Sequence, residues 1–262
     1  MKTSVPFVSM LAAALLVVLP ARAADVVSVM APEVNTTEKD GWTFAFSPYF
    51  WAAGLSGDTA QFGLPSVHID ADFGNILDDL DFAAMAIGEA RHDRYSIFGD
   101  IMYTKISSGS ATPRGILAED VDVSSQTFAG LVGAGYSILQ SERGTLDVVA
   151  GARVWYVNTD ISFSGGILDG RERSDSATWV DGLTGLRGKY ALTDRVYLTG
   201  WGLIGGGGAN VDWDIAGGIG YEFNKTVSAV LGYRALGVDY SSDGFVFDVV
   251  QQGPILGVVM HF

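Results

Sequence analysis

Apolar and polar positions alternate through residues 211–223, V-D-W-D-I-A-G-G-I-G-Y-E-F. Val211, Trp213, Ile215, Gly217, Ile219, Tyr221 and Phe223 fall on one side, and Asp212, Asp214, Ala216, Gly218, Gly220 and Glu222 on the other. Strand side chains point alternately to opposite faces, so a period of two predicts a β-strand with one aromatic face and one small or acidic face. Trp213 and Tyr221 stand eight residues apart. At about 3.3 Å per residue and a tilt of about 40°, their rings are about 20 Å apart along a membrane normal. A transmembrane barrel strand needs an apolar band of that height with aromatic rings near its edges. A soluble β-sandwich would show the same alternation with the apolar face turned inward, so the rest of the chain has to decide.

The same period recurs. Residues 42–52 set Trp42, Phe44, Phe46, Pro48 and Phe50 against Thr43, Ala45, Ser47, Tyr49 and Trp51. Pro48 removes a ladder hydrogen bond and so marks a bulge or a barrel seam. Further strands are predicted over 81–91, 95–105, 121–138, 146–163, 177–190, 196–205, 227–240 and 245–262, making ten with the two above. The facing of 196–205 is not assignable. The connections 92–94, 140–144, 193–195 and 224–226 are short, and each holds a basic residue. Those after the first, third and fifth strands are longer and rich in Gly, Ser or acids. Short turns on one side and longer loops on the other predict an all-β, antiparallel up-and-down transmembrane β-barrel of ten strands with both termini periplasmic. Eight strands is the alternative if two segments are over-split. Within the long connection after the first strand, residues 75–80 read as a short helical turn that folds into the outer mouth and blocks it.

The N-terminus supports export. Residues 1–23 have a secretory signal's plan: Lys2 in a positive head, an apolar run over 5–19, and Ala21-Arg22-Ala23 as the small-x-small cleavage site. Residues 24–41 are a polar lead-in without periodicity, and 42–262 form the barrel. Cleavage removes Lys2 and Arg22 and no acid, so the net charge moves from −14 to −14 − 2 = −16. That acidity argues against a nucleic-acid partner. The chain has no Cys, so the exported fold uses no disulfide and carries no lipid-modified N-terminal Cys. Its mean hydropathy is positive although no other run is long enough for a spanning helix, as a membrane barrel requires.

The chain ends I-L-G-V-V-M-H-F, with Leu256, Met260, Val258 and the last residue, Phe262, on one face. With these residues, and with Gly232-Tyr233-Arg234 in the penultimate strand, the chain resembles the small outer-membrane barrel proteins of Gram-negative bacteria, the OmpA/OmpW-like group. The resemblance covers about residues 42–262 and departs from the group at Met260, where an aromatic is usual. It implies that Phe262 is read by the barrel-assembly machinery. It implies an architecture and a bacterial outer-membrane location, and it assigns no activity.

With the aromatic faces toward lipid, Trp42, Tyr95, Tyr103, Trp213, Tyr221 and Phe223 form the girdle. The opposite parity places Glu89, Arg91, Asp100, Asp147, Arg153, Asp181, Arg187, Lys189, Asp212, Asp214 and Glu222 in the lumen, and Arg234 and Asp248 join them. Unpaired burial would cost each charge several kcal/mol, so both signs should meet in hydrogen-bonded networks across strands. A lumen of this size is filled by side chains, and mixed signs favour a plug over a selective ring. The leading expectation is therefore a structural or surface-interacting barrel without catalysis. The alternative is a narrow channel for small solutes or ions.

A third reading is an outer-rim hydrolase. His68, with Asp70 and Asp72, is the one His–acid cluster on the predicted outer side, because His92 sits in a turn and His261 at the C-terminus. No Ser–His–acid set is identifiable. Asp70, Asp72, Asp78, Asp79 and Asp81, with Glu119, Asp120 and Asp122, offer oxygen ligands for Ca²⁺ or Mg²⁺, but Phe73 and Gly74 break the EF-hand spacing. Loose divalent bridging to lipopolysaccharide phosphates fits these acids better. No catalytic, cofactor or specific metal site is assigned, no cofactor is implied, and a monomer is expected. The expected partners are outer-membrane lipid, lipopolysaccharide and the assembly machinery.

Overall fold

The computed structural model describes residues 41–111 and 119–262. The signal segment and all of the lead-in except Gly41 lie outside the described residues. Ten strands form the barrel wall: β1 (Trp42–Trp51), β4 (Leu80–His92), β5 (Tyr95–Ala111), β6 (Asp120–Ser141), β7 (Gly144–Ser164), β8 (Arg171–Ala191), β9 (Val196–Gly207), β10 (Val211–Glu222), β11 (Val227–Ser242) and β12 (Phe245–His261). Each pairs antiparallel with its neighbour in sequence, and β1 pairs with β12 to close the ring. Ten strands is thus the count, not eight. Two further strands, β2 (Gly54–Ala60) and β3 (Val67–Ala71), and a short helix, α1 (Phe73–Asp78), lie in the long connection between β1 and β4. The hairpin β2–β3 extends the sheet by pairing β2 with residues 246–252 of β12, above the stretch that β1 occupies.

Both described chain ends and the short turns share one end of the barrel, here called the terminal end; the other is the loop end. Pro48 sits on the closing strand, where the β1 ladder with β4 stops at the pair Pro48–Ala86. The wall is uneven. β6, β7 and β8 have 22, 21 and 21 residues, whereas β9 and β10 have 12 each, so one side stands well above the other at the loop end.

Parity sorts the faces. On β10 the outward Val211, Ile215, Ile219 and Tyr221 are exposed, while Asp212 and Asp214 are fully buried. Phe44, Phe46, Ile97, Val132, Val148, Leu186, Leu231 and Leu256 extend the exposed apolar surface around the barrel. A soluble sandwich would bury these side chains, and this chain buries charges instead. A closed strand ring with an apolar exterior satisfies its backbone internally and matches a hydrocarbon environment. The girdle residues follow the same division. Trp42, Tyr95, Tyr221 and Phe223 are exposed at the terminal end, with Tyr95 against Tyr136 and Tyr221 against Phe223. Farther along, Tyr103 rests against Phe82 and Trp213 lies over Gly237, where an added Cβ would collide with the indole. Phe262 is exposed and exchanges two backbone hydrogen bonds with Phe44 across the seam, at 2.9 and 3.2 Å.

Two expectations fail here. The helix does not enter the mouth: α1 has no buried residue, and its Phe73 packs edge-on against Phe50, an outward side chain of β1. Its apolar residues find cover on the outer wall. It is the β2–β3 hairpin that reaches across, its tip donating from the Phe62 amide to Asp175 on β8 at 2.5 Å. Asp248 also leaves the lumen. It is exposed on the outward face of β12, in register with Asp239 and Asp58, while its neighbours Phe247 and Val249 fill the interior.

Candidate functional site

The inward parity of the strands builds the lumen in three levels. At the loop end the filling is aromatic. Trp155 and Trp179 stack with centroids 5.8 Å apart, Tyr240 lies on Trp179 at 4.0 Å, and Phe247 and Phe245 pack at their edges. Trp51 joins from β1 and donates its indole N–H to the Gly253 carbonyl at 3.2 Å. Asp181 borders this layer. One of its oxygens accepts the Ala209 amide at 2.8 Å, while the other, like the Trp179 indole nitrogen, meets no partner among the described residues.

The middle level is a belt of charges. Arg153 on β7 donates to Asp212 at 2.5 Å and to Asp214 at 2.7 Å, both on β10. Arg234 on β11 donates Nε and Nη2 to the same Asp214, Nη2 to Asp100 on β5 at 2.7 Å, and Nη1 to the Tyr49 hydroxyl on β1 at 2.8 Å. Tyr49 in turn donates to Asp100 at 2.8 Å. The indoles of Trp155 and Trp201 donate to Asp212 and Asp214 at 2.8 and 2.9 Å. Six strands from opposite sides of the barrel are thereby tied together. Arg153 and Arg234 are 1% and 0% exposed. Charge-assisted bonds of this kind offset the loss of hydration only when the buried charges are well paired, and here both oxygens of Asp100, Asp212 and Asp214 accept hydrogen bonds.

At the terminal end the lumen opens into a cavity of about 240 Å³ beneath Tyr49 and Trp201. Arg91 on β4 donates to Glu89 on the same strand, to Ser137 on β6 and to Asp147 on β7, with Asp147 held closest, and Ser137 also donates to Asp147 at 2.6 Å. Arg187 on β8 bridges to the other Glu89 oxygen at 3.2 Å and stacks over Phe98 at 4.4 Å. Lys189 donates to Glu222 on β10 at 3.0 Å and lies 3.9 Å over Tyr197.

The structure therefore gathers Asp100, Arg153, Asp212, Asp214 and Arg234 into one belt and Glu89, Arg91, Asp147, Arg187, Lys189 and Glu222 into a second group, with Asp181 beside the aromatics. The sequence reading missed the inward aromatics Tyr49, Trp51, Trp155, Trp179 and Trp201. Parity carried the signal for four of them, because Tyr49 and Trp51 oppose the outward Phe44, Phe46 and Phe50, Trp155 shares a face with Arg153, and Trp179 shares one with Asp181. His68 does not meet Asp70 or Asp72. Its Nδ1 lies 3.1 Å from Asp58 on the neighbouring strand, and Asp72 caps α1 by accepting the Asn75 amide at 2.9 Å. Register sets this reach, because His68 stands opposite Asp58 across β2–β3. Among the described residues no three His, Cys, Asp or Glu side chains converge as a metal site requires.

No protein-family model and no curated protein sequence matches the chain. Solved structures do. The outer-membrane protease OmpT of Escherichia coli aligns over 86% of this chain and 98% of its own, with 13% identity and a TM-score of 0.51. The translocator domain of the autotransporter NalP of Neisseria meningitidis aligns over 85% and 88%, with 14% identity and a TM-score of 0.49. The attachment invasion locus protein Ail of Yersinia pestis aligns over 85% and 99%, with 13% identity and a TM-score of 0.37. At these identities the OmpT likeness is one of fold, and the weaker two add nothing to it. The fold is that of the small Gram-negative outer-membrane β-barrels.

Proposed function

We propose that this chain is a sealed outer-membrane barrel with a structural or surface-interaction role and no catalysis, its terminal end facing the periplasm. The belt of Arg153 and Arg234 supports this reading above all, because it crosses the lumen with both guanidiniums buried and both bound to carboxylates from facing strands. An ion moving along the axis would have to break several charge-assisted bonds at once. The stacked rings at the loop end add a dry layer above the belt. The apolar exterior and the girdle suit lipid, the exposed terminal Phe262 suits reading by the assembly machinery, and the acids at the loop end suit cation-bridged lipopolysaccharide. Planar-bilayer recording of refolded protein tests the seal. A quiet membrane is expected, and discrete current steps would sink the proposal. OmpT is a protease by name, but here the His68–Asp58 pair sits on the outward face of a hairpin, with both side chains more than half exposed. Any hydrolysis by the purified barrel that depended on His68 would count against the non-catalytic reading.

A further inference from the structure

The terminal-end cavity is not filled like the rest of the lumen, and its hydrogen-bond account is lopsided. Both oxygens of Glu89 are engaged, one by Arg91 and one by Arg187. Both oxygens of Asp147 are engaged by Arg91, one of them also by Ser137. The donors are not exhausted. A guanidinium carries five N–H groups and an ammonium three. Arg187 uses one nitrogen, on Glu89, and Lys189 makes one bond, to Glu222. The Nε2 atom of His261, on the same cavity wall, is buried without a partner among the described residues. Arg153 and Arg234, in the belt above, each bind two carboxylates. Arg187 lines the open cavity with donors to spare.

The rest of the cavity is mostly apolar, with Ser47, Thr145 and Thr199 among its lining residues. Ile87, Val230, Ile255 and Val259 line it, with Trp201 at its inner end. It is blind, because the Tyr49–Arg234–Asp214 bonds close it on the loop side. Ligand sites have this character, concave and mostly apolar with a few convergent polar groups. At about 240 Å³ it lies just under the usual range of about 300–1,000 Å³, which limits the occupant to a small molecule.

We propose that this cavity is a binding site, entered from the terminal end, for a small amphipathic carboxylate. Its anionic head accepts from Arg187 and Lys189, and its short apolar tail lies along Ile255 and Val230 toward Trp201. The head supplies the acceptors that the cavity lacks, and the tail covers the apolar wall. The barrel then holds a molecule at one end without passing it through.

Octanoate is the probe, added to the full chain in phosphatidylcholine nanodiscs, with titration calorimetry and the change in tryptophan fluorescence that is lost in a Trp201→Phe variant as readouts. Octylamine and inorganic phosphate are the comparison ligands, and empty nanodiscs correct for partitioning. Saturable octanoate binding is expected, with octylamine and phosphate each at least about tenfold weaker, since a charge-assisted bond to the head is lost in one and the apolar contact in the other. Arg187→Gln should weaken octanoate by about tenfold or more. Ile255→Trp, which fills the tail region and leaves the donors intact, should abolish binding. Gel migration of folded against boiled protein confirms that each variant is assembled. Equal binding of octanoate and octylamine, equal binding by wild type and Arg187→Gln, or phosphate binding as tight as octanoate would each overturn the assignment. The readout is independent of conductance, so a leaky barrel that bound octanoate would refute the seal and leave the site standing.

Discussion

At the loop end the lumen is closed by Trp155, Trp179, Tyr240 and Phe247 in ring-to-ring contact, whereas at the terminal end Glu89, Arg91, Asp147 and Arg187 surround an open cavity. The solvent outside the wall explains the contrast. Trp155 lies eleven residues from the start of β7 at Gly144. At about 3.3 Å per residue and a tilt of about 40° that is roughly 28 Å from the terminal end, at or beyond the edge of an apolar band about 25 Å tall. Within the band the outer face meets lipid and the interior takes the charges. Beyond it the outer face meets water, and the sheet reverts to the arrangement of a soluble protein, apolar within and acidic without. Asp239, Asp248 and Asp58, side by side on the exterior across from an aromatic interior, show that reversal. The barrel is thus two kinds of sheet joined end to end, with the arginine belt near the junction.

The largest effect is expected where the belt is cut. Arg234→Ala leaves Asp100 buried without a cation and Asp214 with Arg153 as its one remaining cation, which costs about 3–5 kcal/mol for a buried pair broken on one side. The loss would be measured by urea unfolding followed by gel migration. Asp100→Asn in the same chain should recover part of it, because Asp100 then needs no cation; strict additivity of the two changes would argue that the belt is not one network. Next comes the aromatic layer. Trp179→Ala should cost about 3 kcal/mol or somewhat more, as large buried rings do when truncated. It should leave the bilayer electrically quiet, because the belt beneath is intact. Current steps in this single variant would place the seal in the rings instead. At the open end, Arg187→Gln should cost about 1–2 kcal/mol, since one partly exposed ion pair and the stacking on Phe98 are lost. A penalty as large as that of Arg234→Ala would mean that the terminal group is as tightly knit as the belt.

Alternation alone made the strand count, the antiparallel order and the lumen side of Asp100, Arg153, Asp212 and Asp214 legible, because lipid on one side forces a clean period of two. Three things were not legible. In β9, Tyr197, Trp201 and Leu203 face in while Leu198 and Ile204 face out, so both faces are apolar and the period vanishes. Asp248 was placed in the lumen on the rule that polar means inside, which fails above the membrane band. The β2–β3 hairpin and its reach to Asp175 depend on contacts more than a hundred residues apart in sequence, which no local pattern reports. The pairing of each lumen charge follows from register across strands. The sequence supplied the members of the network and left their partners unspecified.

The smallest predicted effect tests the reversal at its outer edge. Partial desolvation against the wall raises the Asp248 carboxyl from its ordinary value, and the charges of Asp239 and Asp58 on the flanking strands add to the rise. A carboxyl whose folded-state value is raised favours the folded rim when protonated. Its contribution is complete below the ordinary carboxylate range and is lost as pH rises through the raised value. The β2–β12 ladder should therefore be better protected against amide exchange in mild acid than at neutral pH, after correction for intrinsic exchange. Asp248→Asn should flatten that difference, since the amide cannot ionise and removes the middle charge of the row. The change is confined to a water-facing edge, so β1–β12 amides deeper in the wall should show no such dependence. If they did, or if Asp248→Asn left the rim profile unaltered, the three acids would not be acting as a repelling row. The exterior above the band would then need a different account, for instance cations that bridge the row and hold its carboxylates ionised.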